Sequence, residues 1–147
     1  MRFSAIWLFH NSSLVFSNLE EIPSPALSTS SAGKIGAAYI TAYSAAKHGV
    51  LGLVRSVAAE NTESGVTINA VCPGFVDTSM TRRSVANIVA RTGQSETEVI
   101  AALVAHEPHK RLLTVQEVSD SVIRLINGSS SGLAVDLPER DSHVGTD

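Results

Sequence analysis

The chain has 147 residues, 44% of them hydrophobic, which is enough for one globular domain with its own core. Its formal net charge is -3 and aromatics make up 5%, so it has neither the basic excess of a nucleic-acid binder nor the stacking platforms of a single-strand binder. One cysteine, Cys72, permits no internal disulfide. No apolar run approaches the ~20 residues of a membrane span, and the run at residues 5–9 is too short for a secretory signal. These features fit a soluble, cytoplasmic protein without a membrane or nucleic-acid partner.

Residues 1 to about 28 show no hydrophobic period. Ile22-Pro23-Ser24-Pro25 argues against a regular helix or a central strand, and residues 28–31 read as a loop. From Ala42 the pattern sharpens. Val50, Leu53, Val54, Val57 and Ala58 fall on one face of a helix over about 42–60. Gly49 and Gly52 weaken that helix by about 1 kcal/mol each, which predicts close packing against another helix or a backbone. Residues 66–72 are short and β-branched and end in Pro73-Gly74, as a strand entering a turn does.

Residues 84–91 suit a short helix. Ser95-Glu96-Thr97-Glu98 and Thr114-Val115-Gln116-Glu117 are capping boxes that open two more. Gly93 and Gly128 stand where helix ends favour a left-handed residue. After Ser129 only Leu133-Ala134-Val135 suits a strand. A helix followed by a mostly apolar strand points to an α/β layered fold.

Chemistry concentrates at Tyr43-Ser44-Ala45-Ala46-Lys47. A phenol and an ammonium four residues apart share a helix face. A nearby positive charge favours a phenolate, and an ordinary tyrosine titrates near ~10, too high for a neutral-pH proton shuttle. Such a pair is a general acid/base candidate, although any helix can hold Tyr and Lys at this spacing by accident. Elsewhere His48 reads as a helix-surface residue. Pro108 spoils His106 and His109 as a ligand pair, so no metal site is expected. Cys72 reads as a small core residue. Arg82 and Arg83 form a solvated face or meet an acidic group such as a carrier's phosphate.

Taken together, Ser30-Ser31-Ala32-Gly33-Lys34-Ile35-Gly36, Tyr43-x-x-x-Lys47 and the strand entering Pro73-Gly74-Phe75-Val76-Asp77-Thr78 resemble the short-chain dehydrogenase/reductase family, as does Lys110-Arg111-Leu112-Leu113-Thr114-Val115-Gln116-Glu117-Val118. The resemblance runs from about Ser30 to Ile126. It implies a partial Rossmann-type, doubly wound parallel sheet. It implies a proton transfer by Tyr43, with Lys47 favouring the phenolate and binding the nicotinamide ribose. Ser30, thirteen positions before the tyrosine, would hold the substrate oxygen; its neighbour Ser31 fits the spacing less well. Pro73 and Gly74 would lie beside the nicotinamide, with Val76 and Thr78 at its carboxamide. The implied cofactor is NAD or NADP, and the implied reaction interconverts a secondary alcohol and a ketone. Thr92-Gly93-Gln94-Ser95-Glu96 points toward a 3-oxoacyl or 3-hydroxyacyl thioester substrate. The family's long helices imply a homo-oligomer.

The sequence also departs from the family. No strand with a glycine-rich turn that would cradle a pyrophosphate is present, so the N-terminal dinucleotide-binding strands are missing. The acidic residue for the adenosine ribose and the active-site asparagine are missing with them. The expected division is an unrelated segment at 1–28, a truncated catalytic half at 29–136 and a tail at 137–147. A non-catalytic remnant, or a module that pairs through the helix at 42–60, is the alternative reading.

Overall fold

The computed structural model describes residues 26–36 and 38–137. The aperiodic stretch up to residue 25 and the tail from 138 lie outside the described residues. Three parallel strands form the sheet: β1 (Ala26–Ser28), β2 (Asn69–Pro73) and β3 (Ala134–Leu137), in the spatial order β1-β2-β3. A helix α1 (Thr41–Glu60) connects β1 to β2. Three helices, α2 (Ser79–Thr92), α3 (Glu96–Leu103) and α4 (Val115–Asn127), connect β2 to β3. Parallel neighbours need such long crossovers, since no hairpin can join them.

All five residues of β2 are buried, as expected of a central strand covered on both faces. Successive side chains point to opposite faces. Ala70 and Cys72 join Leu27, Ile68 and Ala134 under Val50, Leu51 and Val54 of α1. Val71 faces the other way and packs with Leu113 and Leu137 against Val118, Val122 and Leu125 of α4. The sheet is therefore sandwiched between α1 and α4, in agreement with the doubly wound layout. Asn69 is buried among these apolar groups with both ends of its amide paired. It donates to the Ser130 carbonyl at 2.9 Å and accepts from the Leu133 amide at 3.0 Å.

The sequence expectations need five corrections. The ladder begins at Ala26, inside the stretch expected to hold no strand: Leu27 is 1% exposed and pairs with Ala70. β2 starts at Asn69 rather than Val66. α2 spans Ser79–Thr92, longer than the expected 84–91, because Thr78 caps it and its hydroxyl accepts from the Thr81 amide. A Cβ on Gly49 or Gly52 would meet nothing within 4 Å, so these glycines do not mark a close approach among the described residues. Gly93 closes α2 in the left-handed region at φ 72°, whereas Gly128 is extended at φ -86°. Both capping boxes form as expected.

Candidate active site

β1 and β2 run in parallel with Ser28 beside Val71, so both chains leave the sheet at the same edge. Ligands of open α/β sheets bind beyond that carboxyl edge. Thr29 extends the ladder by one residue through its amide, which donates to the Val71 carbonyl at 2.8 Å. Ser30 then caps a short 3-10 turn, Ser31–Gly33, and its hydroxyl accepts from the Ala32 amide at 3.3 Å.

This turn docks directly on α1. The Ser44 hydroxyl, buried, donates to the Ala32 carbonyl at 3.0 Å. The Thr29 hydroxyl donates to the Lys47 carbonyl at 3.3 Å. A Cβ on Gly33 would stand 2.9 Å from that same carbonyl and 2.9 Å from the Thr29 hydroxyl oxygen, so only glycine lets the two backbones meet. Ser44, between Tyr43 and Lys47 in the sequence, is thus the peg that seats the Ser30 turn on the helix.

Tyr43 lies in the first turn of α1 and is 49% exposed as a residue. The Lys47 ammonium sits over its ring, 5.5 Å from the centroid, within cation–π range. Partial burial lowers the Lys47 pKa by removing water from its charged form. The two groups that the sequence pairs are therefore together, beside the turn that holds Ser30.

Pro73 is the last residue of β2 and Gly74 follows it. A Cβ on Gly74 would collide with the Glu107 carboxyl group. Burial raises the Glu107 pKa. The sequence did not flag Glu107, because a single acid before Pro108 carries no motif. Val76 pairs with Leu113 in a parallel bridge: the Leu113 amide donates to the Phe75 carbonyl and the Asp77 amide to the Leu113 carbonyl, each at 2.8 Å. This pattern turns the Val76 backbone N–H and C=O away from Leu113. Thr78 is engaged as the α2 cap, with its hydroxyl 3.2 Å from that of Thr81.

Two charged contacts escaped the sequence reading, since Lys34 and Asp136 are far apart in the chain and Arg82 bridges residues of two other segments. The Lys34 ammonium donates to the Ala134 carbonyl at 2.9 Å and pairs with Asp136 at 2.9 Å, tying the Ser30 turn to β3. Arg82 is forked onto Asp77 and also reaches Glu96, which displaces the reading of Arg82 as a phosphate ligand. Cys72, next to Lys34 and Asp136 but enclosed, has its thiol pushed up to about 11 mainly by burial, and is a core residue. Among the described residues no cluster of His, Cys, Asp and Glu could hold a metal ion. None of the described helices is long and apolar enough to cross a membrane.

Residues 19–135 match the family model described as Enoyl-(Acyl carrier protein) reductase. The chain is 36% identical over 94 residues to the D-beta-hydroxybutyrate dehydrogenase of Rhizobium meliloti, covering 63% of this chain and 36% of that protein. It is 37% identical over 97 residues to the granaticin polyketide synthase putative ketoacyl reductase 1 of Streptomyces violaceoruber, covering 66% of this chain and 36% of that one. Among solved structures, a variant actinorhodin polyketide ketoreductase with NADPH superposes with a TM-score of 0.69 at 30% identity, covering 78% of this chain and 45% of that chain. A short chain dehydrogenase family protein from Francisella tularensis superposes with a TM-score of 0.74 at 23% identity, which speaks to the fold alone. The chain thus spans little more than a third of these curated relatives. The matched sequence and the sheet with its two helical covers lead to one conclusion: the chain belongs to the short-chain dehydrogenase/reductase family, of which it carries a part.

Proposed function

We propose that this chain is the catalytic half, residues 29–136, of a nicotinamide-dependent oxidoreductase that interconverts a secondary alcohol and a ketone. The observation that carries this reading is the seating of the Ser30 turn on the helical turn that bears Tyr43 and Lys47, through Ser44 and Thr29. NAD or NADP, when bound, supplies or takes up the hydride. The residues present fit its nicotinamide–ribose end. Lys47 stands within one helical turn of an exposed phenol, and Val76 has backbone polar groups turned out of the Leu113 ladder. Pro73 and Gly74 lie at the strand edge where the ring would rest, and Thr78 offers its hydroxyl beside them.

In this reading Ser30 holds the substrate oxygen through its hydroxyl. Tyr43 gives its phenolic proton to a ketone oxygen, or accepts the proton of an alcohol in the reverse direction. Lys47 favours the phenolate and holds the ribose. Relatives named as ketoacyl reductases support a 3-oxoacyl or 3-hydroxyacyl thioester as the substrate. We place the protein in the cytoplasm as a homo-oligomer.

Fluorescence titration with NADH and NADPH, followed by turnover assays on a ketone panel, tests the proposal. Tyr43→Phe is expected to lower turnover by 10²-fold or more, on the order of a lost general acid, while the dissociation constant of the dinucleotide stays within about twofold. A wild-type chain that binds neither dinucleotide below millimolar concentration would favour the second reading, a non-catalytic remnant or helix-pairing module.

A further inference from the structure

Asp77 lies between Val76 and Thr78, the two residues read as cofactor contacts, and its side chain is gripped from outside. The Arg82 guanidinium donates from Nε to Asp77 Oδ1 and from Nη2 to Oδ2, each at 2.6 Å. Its third arm, Nη1, donates to Glu96 Oε1 at 2.7 Å. Arg82 belongs to the first turn of α2, and Glu96 opens α3 directly after its capping serine. One planar cation therefore joins three separate segments: the strand exit, α2 and α3. A single exposed ion pair contributes little, but a two-pronged fork fixes orientation as well as distance. The other side of Asp77 is fixed too, since its amide donates to the Leu113 carbonyl.

The same cation borders a groove of about 460 Å³ between α2 and α3, with Val85, Ala86, Val89 and Ala90 as its apolar walls and Glu96 at the rim with Arg82. A separation of α2 from α3 at this rim stretches the Arg82–Glu96 contact. Through the fork, that displacement reaches Asp77 and the backbone on either side of it.

We infer that Arg82 is a positioning residue that holds the Val76–Thr78 segment in register and couples it to the spacing between α2 and α3. Its consequence for nicotinamide binding rests on the proposed function; the restraint itself does not. Glu96 acts only through Arg82, so a change at Glu96 is felt at Asp77, a residue it does not touch.

Hydrogen–deuterium exchange on the full chain reads the restraint directly. Arg82→Ala is expected to speed exchange over residues 75–79 by about tenfold, as local opening becomes easier. Glu96→Gln should speed the same segment by about threefold, Arg83→Ala should leave it unchanged, and Arg82→Lys should restore part of the protection. Unchanged exchange at 75–79 in Arg82→Ala, or an effect of Glu96→Gln confined to 96–103, would overturn the inference. Urea midpoints check that every variant is folded. In parallel, NADH titration is expected to show about tenfold weaker binding in Arg82→Ala and a smaller loss in Arg82→Lys. Equal NADH affinity in wild type and Arg82→Ala would overturn the positioning role. A wild-type chain that binds no NADH would sink the proposed function instead, with the exchange data still deciding the restraint.

Discussion

At the scale of single residues, two glycines of one motif region behave in opposite ways. Gly33 is pressed against the Lys47 carbonyl and the Thr29 hydroxyl, each 2.9 Å from where a Cβ would stand. Gly33→Ala must push the Ser30 turn off α1, and a destabilisation of about 1–3 kcal/mol is expected, as for an overpacked site. Gly49 sits in the same helix as Lys47 with open space at its Cβ position. Gly49→Ala is expected to stabilise by up to about 1 kcal/mol through helix propensity. Urea denaturation of the two variants checks both, and a common sign would refute the assignment. Sequence alone flagged Gly49 as the tight position and passed over Gly33, because spacing along a helix does not reveal which face meets a neighbour. The nearness of Tyr43 and Lys47 was legible, since positions four apart on a helix share a face, whereas Ser30 was named only through the family resemblance. Lys34 and Glu107 were not legible, since each meets a residue distant in sequence, and Asp77 was not, since no helix or strand period pairs it with Arg82.

At the scale of elements, local chemistry was legible wherever the cause is local. The two capping boxes begin α3 and α4 where Ser95 and Thr114 place them. β1 was missed because two prolines outweighed three residues, Ala26, Leu27 and Ser28, that are extended by the ladder offered by β2. α2 was started late because Thr78 was read for its chemistry rather than as a cap. The α4 cap supports a pH prediction. Glu117 receives the Arg111 guanidinium and the Thr114 amide, which lower its pKa from 4.5 to about 2. A folded-state pKa below the ordinary value stabilises above pH 4.5, and that contribution fades as the pH falls from 4.5 toward 2. Wild type should therefore lose its advantage over Glu117→Gln across this window, as followed by urea midpoints at successive pH values. Thr114→Ala removes the cap itself and is expected to cost about 1 kcal/mol at neutral pH.

At the scale of the whole molecule, the described residues form a sheet of three strands, and among them nothing pairs with the outer edge of β1. Unpaired edges recruit other strands. Concentration-dependent association is expected in sedimentation velocity, and Ser28→Lys, which sets a charge on the exposed last residue of that edge, should weaken it. A sharp, cooperative melt of a strict monomer would contradict this. The pattern of helices and strands conveyed the layered class. It could not convey which side of the sheet each helix covers, because that is decided by the alternation of Ala70, Val71 and Cys72 between α1 and α4.

The contact of Lys34 with Ala134 spans 100 positions of the chain. During synthesis at ~5–20 residues per second, the Ser30 turn leaves the ribosome on the order of 5–20 s before its anchor is made. α1 and β2 emerge in that interval and can already fold against β1. The Ser30 turn is therefore seated on α1 early, through Ser44 and Thr29, and receives its second anchor only when the final strand arrives; a nascent chain stopped short of residue 134 would hold the turn by the helix side alone.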